Sequence, residues 1–194
     1  MTGFDKDNIP SDITNSITIG SNIGILLQSP LKDPLYSYQW HLNNTGQKTF
    51  SEYPGIAGED MNMLTTVSEG YTGKGIKVAV LDSGLEIAHE DLSANIISGG
   101  SWDFVGGDTD PTPTSTGGDH GTKVAGIIAA RDRNGIGVRG VAPRASLVGY
   151  NLLANPTTTS MLKSIGGSSS SPNSTDVDIF SMSLGFNYND DTPI

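Results

Sequence analysis

Gly75-Ile-Lys-Val-Ala-Val-Leu-Asp82-Ser-Gly-Leu-Glu-Ile-Ala-His-Glu-Asp-Leu92 is the stretch on which the fold turns. Ile76, Val78, Val80 and Leu81 form a short apolar, largely β-branched run of strand length, and Asp82-Ser83-Gly84 ends it with turn formers. A single carboxylate thus stands at the carboxyl end of a buried strand. In an open parallel sheet, ligands and chemistry collect at that edge.

His120 follows Asp82 by 38 positions, in Asp119-His120-Gly-Thr-Lys-Val-Ala-Gly-Ile-Ile-Ala-Ala130. The segment after the histidine is compatible with a helix, and Gly121, Ala125, Gly126, Ala129 and Ala130 are small enough to let it press against a sheet. His120 is therefore expected in the first turn of a buried helix. A serine hydroxyl becomes a nucleophile when an imidazole takes its proton and a buried carboxylate holds that imidazole. His120 is the candidate base and Asp82 the candidate orienting acid. Taken singly, each has a plainer reading, a hydrogen-bonded core histidine and a strand-end cap.

Successive blocks of this chain resemble the subtilisin-like serine peptidases, or subtilases. They are Val80-Leu-Asp82-Ser-Gly-Leu85, His89-Glu-Asp91-Leu92, His120-Gly-Thr-Lys-Val-Ala-Gly126, Gly140-Val-Ala-Pro143 and Ser183-Leu-Gly185. Asp before His is also the subtilisin order of the Ser-His-Asp triad. Asp33-Pro-Leu-Tyr-Ser-Tyr-Gln-Trp40 and Ser101-Trp-Asp103-Phe104 lean towards the kexin- and furin-like branch and its bacterial relatives. Five linked blocks in order are far more specific than any single motif. The resemblance implies a three-layer α/β fold with a mostly parallel sheet, and peptide-bond hydrolysis through an acyl-enzyme.

The strand, helix, strand rhythm reads the same way. Ala145–Leu153 and Val177–Ser183 are the next expected strands. Between them, Asn155–Pro172 is rich in Thr, Ser, Gly and Pro, and only Met161–Ile165 offers a helical turn; the segment reads either as a poorly signalled helix or as a loop.

The resemblance further implies a calcium ion held by Asp33, Asp91 and the Arg131–Val138 loop, which would offer the Asn134 side chain and the carbonyls of Arg131, Ile136 and Val138. Oxygen donors including two carboxylates suit a hard cation of that size. The alternative makes Asp91 a cap and Asn134-Gly135 an ordinary turn. Asp103, Asp108 and Asp110 mark a second calcium candidate, weighed equally against a solvated acidic loop. His89 belongs to the turn that presents Asp91. Tyr36, Tyr38 and Trp40 read as an aromatic anchor for the N-terminal arm.

By resemblance, Ser183, Leu184 and Gly185 form an edge to which a polypeptide substrate adds as a strand; the alternative is a strand end with a turn glycine. Leu184 stands where furin-like enzymes carry Trp, and Ser83 where they carry a second acid, which argues against specificity for paired basic residues. Asp190 and Asp191 are acids that could favour basic side chains, or simply be solvated.

Composition bounds the rest. The 194 residues, 35% of them hydrophobic, suffice for one sizeable core. Eleven basic and 21 acidic residues give a net charge of −10, which argues against a nucleic-acid partner. The absence of cysteine excludes disulfides, thiolate metal sites and a cysteine nucleophile. Residues 1–32 read as a linker or the end of an upstream segment, and 33–194 as the N-terminal part of a subtilase catalytic domain. Ile17–Leu27 is too short to span a bilayer, and no signal-peptide pattern precedes it; the family resemblance nonetheless implies a secreted or cell-envelope protein. No Gly-Thr-Ser-x-x-x-Pro block occurs, so the nucleophile and oxyanion-hole Asn are expected in a separate Ser-bearing C-terminal part, and this chain alone is expected to be inactive. A different reading is an inactive truncated subtilase that binds calcium or a peptide strand.

Overall fold

The apolar run read from Ile76 forms strand β1 (Lys77–Leu81) at the centre of a parallel sheet, with β2 (Ser146–Tyr150) on one side and β3 (Ile179–Met182) on the other. The computed structural model describes residues 32–48, 52–114, 118–167 and 170–185. The lead-in with Ile17–Leu27, and Asp190 and Asp191, lie outside the described residues. Register is continuous along the sheet: Val78 pairs with Leu147 and Ile179, and Leu81 with Tyr150 and Met182. Two isolated bridges, Ile96 with Leu147 and Trp102 with Tyr150, lie on β2, so among the described residues β3 is the uncovered edge.

Alternation along β1 sorts its side chains into two layers, as a strand covered on both faces requires. Val78 and Val80 pack with Leu85, Leu92, Ala125, Ala129 and Leu147, beneath helix α2 (His120–Ala129). Ala79 and Leu81 pack on the opposite face with Val148, Tyr150, Leu152, Trp102 and Met161. Met161 belongs to α3 (Thr158–Ser164), which follows the short helix α1 (Leu64–Ser68) and α2 in chain order. Helices on both faces of a parallel sheet make the three-layer α/β fold expected from the sequence. The Thr- and Ser-rich stretch before β3 does hold a helix. Thr157 and Ser160 close a capping box at its N-terminus, with Ser160 N–H donating to Thr157 Oγ1 at 3.1 Å and Thr157 N–H to Ser160 Oγ at 2.9 Å.

Of the aromatic anchor expected at the N-terminal arm, Tyr36 is half-buried beside Leu42 and Val67. Trp40 is 56% exposed and Tyr38 is also exposed, with Trp40 meeting only the edge of His41. The arm is also held by polar bonds and by buried Leu42. Gln39 Nε2 donates to the Arg139 carbonyl and Gln39 Oε1 accepts the Arg139 amide, both at 2.8 Å, and Leu35 N–H donates to the Gly137 carbonyl. A glutamine amide can mimic a backbone bridge in this way because it carries a donor and an acceptor side by side.

Candidate active site

Asp82 continues the β1 ladder by one residue, its amide donating to the Tyr150 carbonyl at 3.0 Å, and its side chain is fully buried. The Ser83 amide donates to Asp82 Oδ1 at 2.6 Å. His120 opens α2, and its Nδ1 lies 2.8 and 2.9 Å from the two carboxylate oxygens. Burial acts to push the Asp82 carboxyl up, but the Ser83 amide and hydrogen bonds from His120 and the Ser183 hydroxyl outweigh it and hold the group below its ordinary value. Asp82 is thus an anion at neutral pH, and its partner nitrogen is the N–H tautomer at Nδ1. That commits Nε2 as the nitrogen open to a proton from elsewhere. The histidine side chain remains 59% exposed, so that face of the ring is accessible.

Small residues set how closely α2 approaches β1. A Cβ on Gly121 would collide with the Gly84 carbonyl and stand 2.8 Å from Asp82 Cβ. Gly84 has φ +145°, and a Cβ there would meet the Pro111 carbonyl at 2.6 Å. Ser83 ties the turn to the approach of the helix, its hydroxyl donating to the Gly118 carbonyl at 2.8 Å. Sequence reasoning treated Ser83 only as a departure from a related branch, and nothing in the motif marks this bond.

Ser183, Leu184 and Gly185 follow β3 directly and are exposed. A Cβ built on Gly185 meets nothing within 4 Å, so its lack of a side chain answers to no described part of the chain.

The calcium candidates at the first site converge. Asp33 accepts the Arg133 amide at 3.0 Å and the Asn134 amide at 3.2 Å. Asp91 accepts Asn134 Nδ2 at 2.7 Å and the Val138 amide at 2.9 Å, and its carbonyl accepts the Arg131 amide. The Ile136 amide closes the loop on Asn134 Oδ1 at 2.9 Å. Asp33 and Asp91 are both buried. Burial pushes the Asp33 carboxyl up despite its two amide bonds, and the negative charges of Asp132 and Asp91 push the same way. The loop thus turns N–H groups towards two buried carboxylates, whose oxygens are of the kind a divalent cation takes.

The acids of the second candidate site are likewise hydrogen-bonded, largely by amides of their own loop. Asp103 accepts the Val105 amide and Asn151 Nδ2, Asp108 accepts the Asp110 amide, and Asp110 accepts the Thr112 amide. Among the described residues, no three His, Cys, Asp or Glu side chains gather as a metal cage.

Asn95, unmarked in the sequence reading, proves to be a buried hub. Its Nδ2 donates to the carbonyls of Ala129 and Pro143, both at 2.8 Å, and its Oδ1 accepts Arg131 Nη1 at 2.7 Å. A groove of about 480 Å³ lies on the outer flank of α2, lined by Trp40, His89 and Ile127 among others; neither Asp82 nor His120 lines it.

Residues 73–193 match the subtilase family of S8 peptidases. The chain belongs to that family. It is 52% identical over 124 residues to an extracellular serine protease of Aeromonas sobria, a match spanning 64% of this chain and 20% of the relative. To human neuroendocrine convertase 2 it is 34% identical over 186 residues, 94% of this chain and 26% of that protein. The crystal structure of the Aeromonas sobria serine protease superposes with a TM-score of 0.74 at 42% identity, covering 89% of this chain and 28% of that one. A second structure of that enzyme, in complex with the chaperone ORF2, gives the same TM-score at 45% identity, covering 80% of this chain and 26% of that one. This subtilase chain therefore spans about a quarter of its relatives or less, with kexin-like convertases among them. Among its described residues, no helix is long and apolar enough to cross a membrane.

Proposed function

We propose that this subtilase chain is the Asp- and His-bearing part of a secreted serine endopeptidase, and that it needs a Ser-bearing C-terminal part to act. The observation that carries this reading is the pair formed by His120 Nδ1 and the buried Asp82 carboxylate at the carboxyl edge of the sheet. In the complete enzyme, His120 Nε2 takes the proton of the serine hydroxyl as its oxygen bonds to the scissile carbonyl carbon. Asp82 stabilises the imidazolium so formed. His120 then gives the proton to the leaving amine as the C–N bond breaks, and a water activated in the same way releases the acyl group. Ser183–Gly185, exposed just beyond the uncovered strand β3, would receive the substrate backbone. The extracellular Aeromonas sobria relative supports secretion.

Asp33, Asp91, Asn134 and the carbonyls of Arg131, Ile136 and Val138 would hold a calcium ion that ties the N-terminal arm to the loop after α2. Its chemistry there is structural, the neutralisation of two buried acids.

The test is labelling with a fluorophosphonate, which acylates only an activated serine, followed by intact-mass analysis. The chain alone should stay unlabelled. Adding the Ser-bearing part of a subtilase should produce one label on that part, lost in His120→Ala. No label under any pairing would overturn the reading in favour of a peptide-strand-binding module.

A further inference from the structure

Asn134-Gly135 is the one Asn-Gly step in the 194 residues, and it lies in the loop that fastens the N-terminal arm. In such a step the side-chain amide and the next backbone nitrogen are neighbours, and glycine leaves that nitrogen uncrowded. Gly135 is exposed with φ +77°, and among the described residues nothing accepts its amide hydrogen. The nitrogen is therefore open to solvent and to its own neighbour. The half-buried Asn134 amide, by contrast, is held at both ends. Its Nδ2 donates to Asp91 Oδ1 at 2.7 Å, and its Oδ1 accepts the Ile136 amide at 2.9 Å. The bond from Ile136 draws electron density towards Oδ1, and it stands where an oxyanion would form if a nucleophile added to Cγ.

From this geometry we infer that Asn134 is a site of spontaneous deamidation, and that its modification loosens the N-terminal arm. The Gly135 nitrogen loses its proton to solvent base and bonds to Asn134 Cγ. The Cγ–Nδ2 bond then breaks, and the nitrogen takes a proton and leaves as ammonia, closing a succinimide ring. Water adds to one imide carbonyl and opens the ring to aspartate, or to the other and opens it to isoaspartate. The net change is replacement of NH2 by OH, with no change of oxidation state. Either product breaks the loop's hydrogen bonding. In aspartate, the donor that faced Asp91 Oδ1 becomes a carboxylate oxygen, and without a cation the two charges repel. In isoaspartate, the backbone gains a carbon, which shifts the Ile136 and Val138 amides away from Asn134 Oδ1 and Asp91 Oδ2. The arm hangs from the same loop, through Asp33 on the Arg133 and Asn134 amides and the Leu35 amide on the Gly137 carbonyl. Loss of the loop's closure therefore frees the arm.

The experiment incubates the native chain with a chelator in mildly alkaline buffer, beside the same chain unfolded in urea, and follows both by intact mass and peptide mapping. The folded chain should gain one dalton, mapped to Asn134, with part of the product labelled by an isoaspartyl methyltransferase. Asn134→Gln, whose longer side chain would have to close a larger ring, should lose the gain. The mapping on the native chain stands by itself if that variant fails to fold. Hydrogen exchange on the deamidated fraction, separated by ion exchange, should show the Leu35 amide losing the protection it has in the unmodified chain. Three results would each overturn the inference: no gain at Asn134 in the folded chain once the unfolded chain has reacted, a gain mapped to another asparagine instead, or a deamidated fraction whose Leu35 amide stays protected. Serine labelling has no part in these readouts, so the peptidase reading and this one stand or fall separately.

Discussion

Two glycines of the same helix should respond oppositely to one added methyl group. A Cβ on Gly121 would sit 2.8 Å from Asp82 Cβ, against the backbone of Gly84, whereas one on Gly126 meets nothing within 4 Å. Ordinary carbon contacts lie near ~3.6 Å, so Gly121→Ala must push α2 from β1 by about 0.8 Å. Added to Asp82–His120 separations of 2.8 and 2.9 Å, that shift carries both beyond hydrogen-bond length. Overpacking costs ~1–3 kcal/mol, the lost charge-assisted bond adds ~1.5–3, and helix propensity returns ~1, for a net loss near ~3 kcal/mol. Gly126→Ala has only the propensity gain, a stabilisation of about 0.5–1 kcal/mol. Urea unfolding followed by circular dichroism reads both, and the downfield His120 Nδ1 proton reports on the pair. A Gly121→Ala chain as stable as the native one with that proton intact, or a Gly126→Ala chain equally destabilised, would refute the reasoning.

Asn95→Ala should cost about 2–4 kcal/mol, since it strands the buried carbonyls of Ala129 and Pro143 and the Arg131 guanidinium, and the urea midpoint should fall accordingly. Asp33 should leave a signature in the pH dependence of stability without calcium. Its folded-state carboxyl lies above the ordinary 3.8, so the folded chain binds the extra proton and stability falls as pH rises from 3.8 through the raised value. Asp82 runs the other way, with stability present above 3.8 and lost as pH falls below it. Thermal melts should show the Asp33 limb flattened in Asp33→Asn. Free calcium at a hundred times Kd should stabilise the native chain by about 2.7 kcal/mol, and Asp91→Asn should abolish that gain.

The sheet was legible in the sequence because backbone periodicity writes it, and the Asp82–His120 pair because the motifs around the two residues resemble those of a known family. Apolar runs of strand length became β1, β2 and β3 with ends shifted by at most three residues, and the small-residue segment after His120 became α2. The helix at Thr158–Ser164 was half-legible, since its capping box is built from the same Thr and Ser that otherwise spell a loop. The aromatic anchor was legible in part, with Tyr36 half-buried and Tyr38 and Trp40 exposed. Tyr38 and Trp40 carry a strong burial prior, but the arm is fastened by Gln39, whose amide gives no pattern to read. Asn95 escaped notice for the same reason: a buried amide is specified by partners 34 and 48 residues away, which periodicity cannot see.

Charge balance in the interior separates the two acidic centres by chemistry. Four aspartates are buried among the described residues: Asp33, Asp82, Asp91 and Asp132. Asp82 has the His120 imidazole, and Asp132 has Arg144 Nη2 at 2.8 Å. Asp33 and Asp91 have only N–H dipoles from the Arg133–Val138 loop and the Asn134 amide, and no cationic side chain pairs with either among the described residues. A buried anion answered by dipoles alone is costly, and a second one beside it more so, as the upward push of Asp91 on Asp33 records. The same net negative interior is thus resolved in two ways. At Asp82 a titratable ring supplies the positive charge when a proton arrives, which is what a general base must do. At Asp33 and Asp91 no ring is at hand and the loop's N–H groups answer the charge; a divalent cation on the two carboxylates, as proposed above, would supply it permanently.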